Sequence, residues 1–95
     1  VLYDKFELYC NDMIEEIMFI SNNNDIKKNE NYIKLKNMGI YILDFLIEKN
    51  SNSNNIAHIM LLDDILNLEI PDDIKGDIPK ISLFYKKWYD ENFML

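Results

Sequence analysis

HIMLLDDILNLEIPDDI, residues 58–74, carries a helical periodicity that runs into a proline and a new acidic start. Ile59, Leu62, Ile65 and Leu66 recur at three- and four-residue steps, with Asp63, Asp64 and Asn67 between them. That spacing puts the apolar side chains on one helical face and the acids on the other. The pattern predicts a helix from about Asn55 to Glu69. Pro71 disfavours helical geometry at Ile70 and carries no N–H, so the helix is expected to end there. Asp72 and Asp73 suit the positive end of a short new helical turn, and Gly76 is expected to close it.

Downstream, Pro79 opens a predicted last helix running to about Phe93 with Asp77 as its cap. Its stripe is Ile81, Phe84, Tyr85 and Trp88, with Tyr89 and Phe93 at one edge. Upstream, KNSNSNN at 49–55 reads as a loop, with Ser53 or Asn54 as the cap of the helix that follows. A second helix is predicted from about Glu30 to Lys49, with Tyr32, Leu35, Met38, Ile42, Phe45 and Leu46 as its main stripe. A separate ridge, Ile33, Ile40 and Ile47, repeats every seven residues about a third of a turn or more away. A helix apolar on two sides is normally covered on two sides, so this one is expected to be central. Gly39 lies in its stripe and costs about 1 kcal/mol relative to Ala. Close approach of another helix is the expected compensation. SNNNDIKKNE, 21–30, is a polar connection in which Asp25 and Asn29 are both candidate N-caps. The first helix reads from about Leu2 to Ile20, with Leu2, Phe6, Tyr9, Cys10, Met13, Ile14, Ile17 and Ile20 on one wide stripe and Leu8 and Phe19 nearly opposite. No strand-like alternation of useful length and no internal repeat appears. The fold class expected is all-α, four main helices plus a short extra turn before the last, in one domain over 1–95.

Composition narrows the function. Phe, Tyr, Met, Ile, Asn and Lys supply 54 of the 95 residues, and Gly, Ala, Arg and Pro supply 5. The first group has AT-rich codons, so the gene is expected to come from an AT-rich genome, and the asparagine excess reflects mutational bias. The basic residues are all Lys and the net charge is −7. An acidic field repels phosphate, and without Arg there is no bidentate fork to read guanine or clamp phosphate. Direct nucleic-acid binding is therefore not expected, and a basic partner surface is. No apolar run approaches the roughly 20 residues of a membrane span, so no membrane role is read. Cys10 is the single cysteine. It rules out an internal disulfide, suits a reducing compartment and reads as a small buried hydrophobe.

No reactive constellation emerges. His58 and Cys10 are each the only residue of their type, so a zinc site would have to be completed by carboxylates. His58 reads as a histidine at the core edge. The doublets Glu15/Glu16, Asp63/Asp64, Asp72/Asp73 and Asp90/Glu91 lack the alternation and glycine of a calcium loop. Neighbours on a helix also point about 100° apart, so these pairs read as solvated faces. Gly-rich phosphate loops, GxSxG, HExxH and CxxC are missing. No catalytic, cofactor-binding or metal-ligating residue is assigned, and the chain is not read as an enzyme. The candidate partner-binding residues are Tyr89 and Phe93, at the edge of the aromatic stripe, and Ile33, Ile40 and Ile47. That isoleucine ridge is expected to be covered internally, or else to line a groove or a dimer surface.

IAHIMLLDDILNLEIPDDI, 56–74, with DMIEEIMFI, 12–20, and KLKNMGIYILDFLIE, 34–48, before it, resembles the Apetala2-coincident C-terminal domain (ACDC) of apicomplexan Apetala2-type transcription factors. The resemblance covers about residues 5–75. It implies an orthogonal, non-coiled-coil four-helix bundle. The implied role is a non-catalytic protein–protein interaction domain in a nuclear transcription regulator whose DNA contacts are made by separate modules. No cofactor is implied. The partner expected is a protein with a basic surface or an amphipathic helix, or a second copy in a homodimer. The lack of an initiating Met and the apolar Phe93-Met94-Leu95 end are read as marks of a domain excised from a longer chain. The alternative is a stand-alone acidic helical binder, an immunity or antitoxin-like protein or a viral helical adaptor.

Overall fold

The computed structural model describes residues 1–53 and 55–93, with Ser53 described for its backbone alone. The described residues are helical and contain no strand, as the periodicity predicts. The helices are α1 (Leu2–Ile17), α2 (Asn23–Lys27), α3 (Glu30–Met38), α4 (Leu43–Ser53), α5 (Ile56–Leu66) and α6 (Ile78–Phe93). Short 3-10 turns cover Gly39–Ile42 and Asp72–Ile74. The chain divides into two compact units, 1–42 and 43–95.

In the first unit α1 packs on α3. Phe6, Cys10, Met13 and Ile17 form the buried face of α1, one residue in every three or four, and Cys10 is the buried hydrophobe expected. The helix stops at Ile17, three residues short of the expected end. Asn22 caps α2, its side chain accepting the Asn24 N–H at 2.8 Å, so residues 18–21 must turn instead of continuing the helix. α2 buries Ile26 within the segment whose composition predicts a polar connection. Asn29, one of the two expected caps, caps α3 by accepting the Tyr32 N–H at 3.0 Å. Its Nδ2 also donates to Glu16 Oε1 at 2.9 Å, as does Asn31 Nδ2. Lys34 lies over the Tyr9 ring, 5.2 Å from its centroid. α1 and α3 are thus joined by polar contacts beside their apolar faces.

The expected single helix over 30–49 is broken. Gly39 adopts φ +59° and ψ −137°, a conformation that side-chain-bearing residues rarely take. A Cβ built there would meet nothing within 4 Å, so its glycine serves backbone geometry and not close helix approach. Apolar periodicity runs through the position unchanged, which is why the pattern alone predicts continuity.

In the second unit α4 contacts α5 and α6, which also contact each other. Residues 57–62 of α5, AHIMLL, are buried on every side. The helix covered all round is therefore this one, not the 30–49 segment expected to be central. His58 is fully inside instead of at the core edge. Asn55 caps α5, accepting the Ala57 N–H at 2.9 Å. The expected caps, Asn54 and the Ser53 side chain, lie outside the described residues. α5 ends at Asn67 in the left-handed conformation (φ 52°, ψ 44°), whose N–H reaches the Asp63 carbonyl at 2.7 Å. This left-handed cap, not Pro71, is the terminator. The chain then runs extended through Pro71, makes the expected turn at Asp72–Ile74 and passes through Gly76 at φ +85°. Asp77 caps α6 as expected, Oδ1 accepting the Lys80 N–H at 3.2 Å.

Candidate interaction surfaces

Each predicted contact residue has a definite place. Ile33 is 44% and Ile40 65% exposed, whereas Ile47 is 2% exposed. The seven-residue ridge does not exist as a surface, because the break at Gly39 takes Ile33 and Ile40 out of the helical register that leads to Ile47. Ile33 lies opposite the buried Tyr32 and Leu35 face of α3. Ile40 and its neighbour Tyr41, 79% exposed, project from the 3-10 turn while Ile42 goes inside. Tyr41 was missed because it sits beside the main stripe of the presumed helix. The signal that could have found it is Gly39, two residues earlier. Leu8 and Phe19, opposite the first stripe, are exposed as their positions predict.

On α6 the buried face is Ile81, Ser82, Tyr85 and Tyr89. It is turned by more than half a residue step from the predicted stripe, so Phe84 and Trp88 are half-buried. Tyr89, placed at the edge, is 8% exposed and belongs to the interior. The cause is polar: its hydroxyl donates to Asp44 Oδ1 on α4, anchoring α6 in that rotation. That bond, with burial and the Asp44 and Asp90 charges, raises the Tyr89 phenol to about 12. Phe93 is 51% exposed and stacks on the Tyr89 ring at 5.3 Å and 13°. Of this pair, Phe93 is the one available to a partner.

In the second unit one cleft lies between α4 and α6 and another beside α5 and α6. The first, of about 450 Å³, is lined by Asp44, Ile47, Glu48, Ser51, Lys86 and Tyr89. Two of its charged groups are engaged, Asp44 by Tyr89 and Lys86 by Asp90 at 2.9 Å. The other, of about 230 Å³, is mostly apolar, with Ile59, Met60, Ile70, Ile81 and Tyr85 in its lining.

The acidic doublets do not converge. Among the described residues, no group of three or more His, Cys, Asp or Glu side chains is placed to hold a metal ion. Glu16 is held below its ordinary value by the Asn29 and Asn31 amides. Lysines neutralise neighbours one turn away, as in Lys34–Glu30 at 3.6 Å, Lys75–Asp72 at 2.7 Å and Lys80–Asp77 at 3.9 Å. Such exposed pairs contribute little to stability, and with 17 acids against 10 bases they leave a net acidic surface.

Comparison with protein-family models finds no match, and neither curated proteins nor solved structures contain one.

Proposed function

We propose that this chain is a non-catalytic protein-interaction domain that engages its partner through Ile33, Ile40 and Tyr41. The supporting observation is that a backbone conformation suited to glycine sets Ile40 and Tyr41 side by side, facing water. A lone exposed apolar residue is ordinary, but large neighbouring ones on an ordered turn resemble interface anchors. The net charge of −7 on the whole chain favours a partner segment that is basic or amphipathic.

The wider reading is an interaction domain of an apicomplexan Apetala2-type transcription regulator, acting in the nucleus. It rests on the order of segments 12–20, 34–48 and 56–74 and on the AT-rich amino-acid usage. In the orthogonal four-helix bundle that the resemblance implies, α3 and α4 together take the place of one broken second helix. An Apetala2 module in the parent gene would support this placement. A parent gene without one would leave the alternative of a stand-alone acidic binder.

The direct test is affinity capture from nuclear extract, comparing the native chain with an Ile40→Asp, Tyr41→Asp variant. Both side chains are exposed, so the variant should keep its helical circular dichroism. The native chain should retain a protein that the variant loses. Equal capture by both would overturn the assignment of this surface.

A further inference from the structure

The segment joining α5 to α6 carries two adjoining clefts that share Ile70. The apolar one, of about 230 Å³, has Ile59, Met60, Ile70, Ile81 and Tyr85 in its lining and Asp63 exposed beside them. The second, of about 240 Å³, is lined by Glu69, Ile70, Pro71 and Asp72. The extended backbone at Pro71 and the left-handed cap at Asn67 produce this juxtaposition, holding residues 68–71 off the helix.

Two further observations bear on an occupant. Tyr85 is fully buried, lines the apolar cleft, and its hydroxyl makes no hydrogen bond to a described residue. The hydroxyl lies wholly inside, so Tyr85 meets an occupant through its ring and forms part of the apolar wall. Burial, with the Asp63 and Asp64 carboxylates, raises the phenol far above its ordinary value, so it stays uncharged at neutral pH. The apolar cleft is smaller than the roughly 300–1,000 Å³ of small-molecule pockets and suits one anchoring side chain. The surroundings are acidic. Lys75 lies against Asp72 at 2.7 Å, which leaves Asp63, Glu69 and Asp73 as the surplus charge nearby.

We propose that the surface around Ile70 docks a basic segment of a partner protein, an aliphatic or aromatic anchor entering the apolar cleft and an adjacent lysine or arginine facing Glu69. This goes beyond the Ile40–Tyr41 surface and shares with it only the premise that the chain binds other proteins.

The test titrates a nitrogen-15-labelled sample of the whole chain with an acetylated, amidated alanine–lysine helix bearing one central leucine. The expected result is saturable shifts centred on Ile59, Ile70 and Ile81. Binding should weaken about tenfold or more when the leucine becomes alanine, and more than that for Ile70→Lys. Glu69→Lys, at an exposed position that leaves the fold intact, should weaken binding several-fold and reduce its salt dependence. Equal affinity for the leucine and alanine peptides, or no saturable shift, overturns the proposal. Shifts centred on Ile33, Ile40 and Tyr41 also overturn it while leaving the interaction-domain reading standing.

Discussion

Gly39 and Asn67 both have positive φ, yet their reasons for being there differ. Gly39 lies at ψ −137°, where a side chain is strained whatever the space around it, and the space is open. Gly39→Ala should therefore cost about 1–3 kcal/mol from backbone strain alone. Asn67 sits in the ordinary left-handed region, which asparagine tolerates. Asn67→Gly should change stability by no more than a few tenths of a kcal/mol, within the scatter of surface changes of about 0.5 kcal/mol. Urea denaturation of the two variants beside the parent chain checks both expectations. Tyr89→Phe deletes the hydroxyl that donates to Asp44 and should cost toward the lower end of roughly 1.5–3 kcal/mol, since Asp44 is exposed. The tyrosine also carries a pH signature. Its folded value is raised from 10.0 to about 12, so its stabilisation is complete below pH 10.0 and is lost as pH rises through about 12. A phenolate-absorbance titration of the folded chain should show Tyr85 and Tyr89 titrating late, and Tyr89→Phe should remove one of these two late steps.

At the scale of elements, caps were more legible than continuity. Asn29 and Asp77 cap α3 and α6 where the sequence places them, because a short polar side chain ahead of an apolar periodic run has a local job that needs no tertiary information. The break at Gly39 was hidden by the seven-residue spacing of Ile33, Ile40 and Ile47, which imitates one long helix. The rotation of α6 was hidden for another reason. Its direction is fixed by the Tyr89–Asp44 bond between residues 45 apart in sequence, and no local pattern encodes that. The all-round burial of α5 was visible in AHIMLL but was outweighed by the acids that follow at Asp63 and Asp64. Asn29→Ala is expected to cost roughly 0.5–2 kcal/mol from cap loss. Glu16 gives the same substitution a second readout. Its carboxyl is depressed first by Asn29, so its stabilisation is present above its ordinary value and lost as pH falls through the lowered one. In the variant, carbon-13 titration of Glu16 should move back up toward 4.5, with Asn31 retaining part of the shift.

Taken as a whole molecule, the chain combines an acidic, arginine-free surface with large apolar side chains held outward on ordered turns. Its net charge of −7 predicts no mobility shift of duplex DNA at physiological salt, and sequence-selective binding by this chain alone would refute that. The binding candidates were only partly legible: Ile33, Ile40 and Phe93 are exposed, Ile47 and Tyr89 are interior, and Tyr41 emerged only once the helix was seen to break. The central claim is that the turn after Gly39 contacts a partner protein. Site-specific photocrosslinking tests it most directly, with benzoylphenylalanine replacing Tyr41 in one sample and the exposed Lys87 in another, each irradiated in nuclear extract. Position 41 should give a discrete adduct that position 87 does not, a doubled chain mass identifying a second copy as the partner. No adduct from position 41, or the same adducts from both positions, would contradict it.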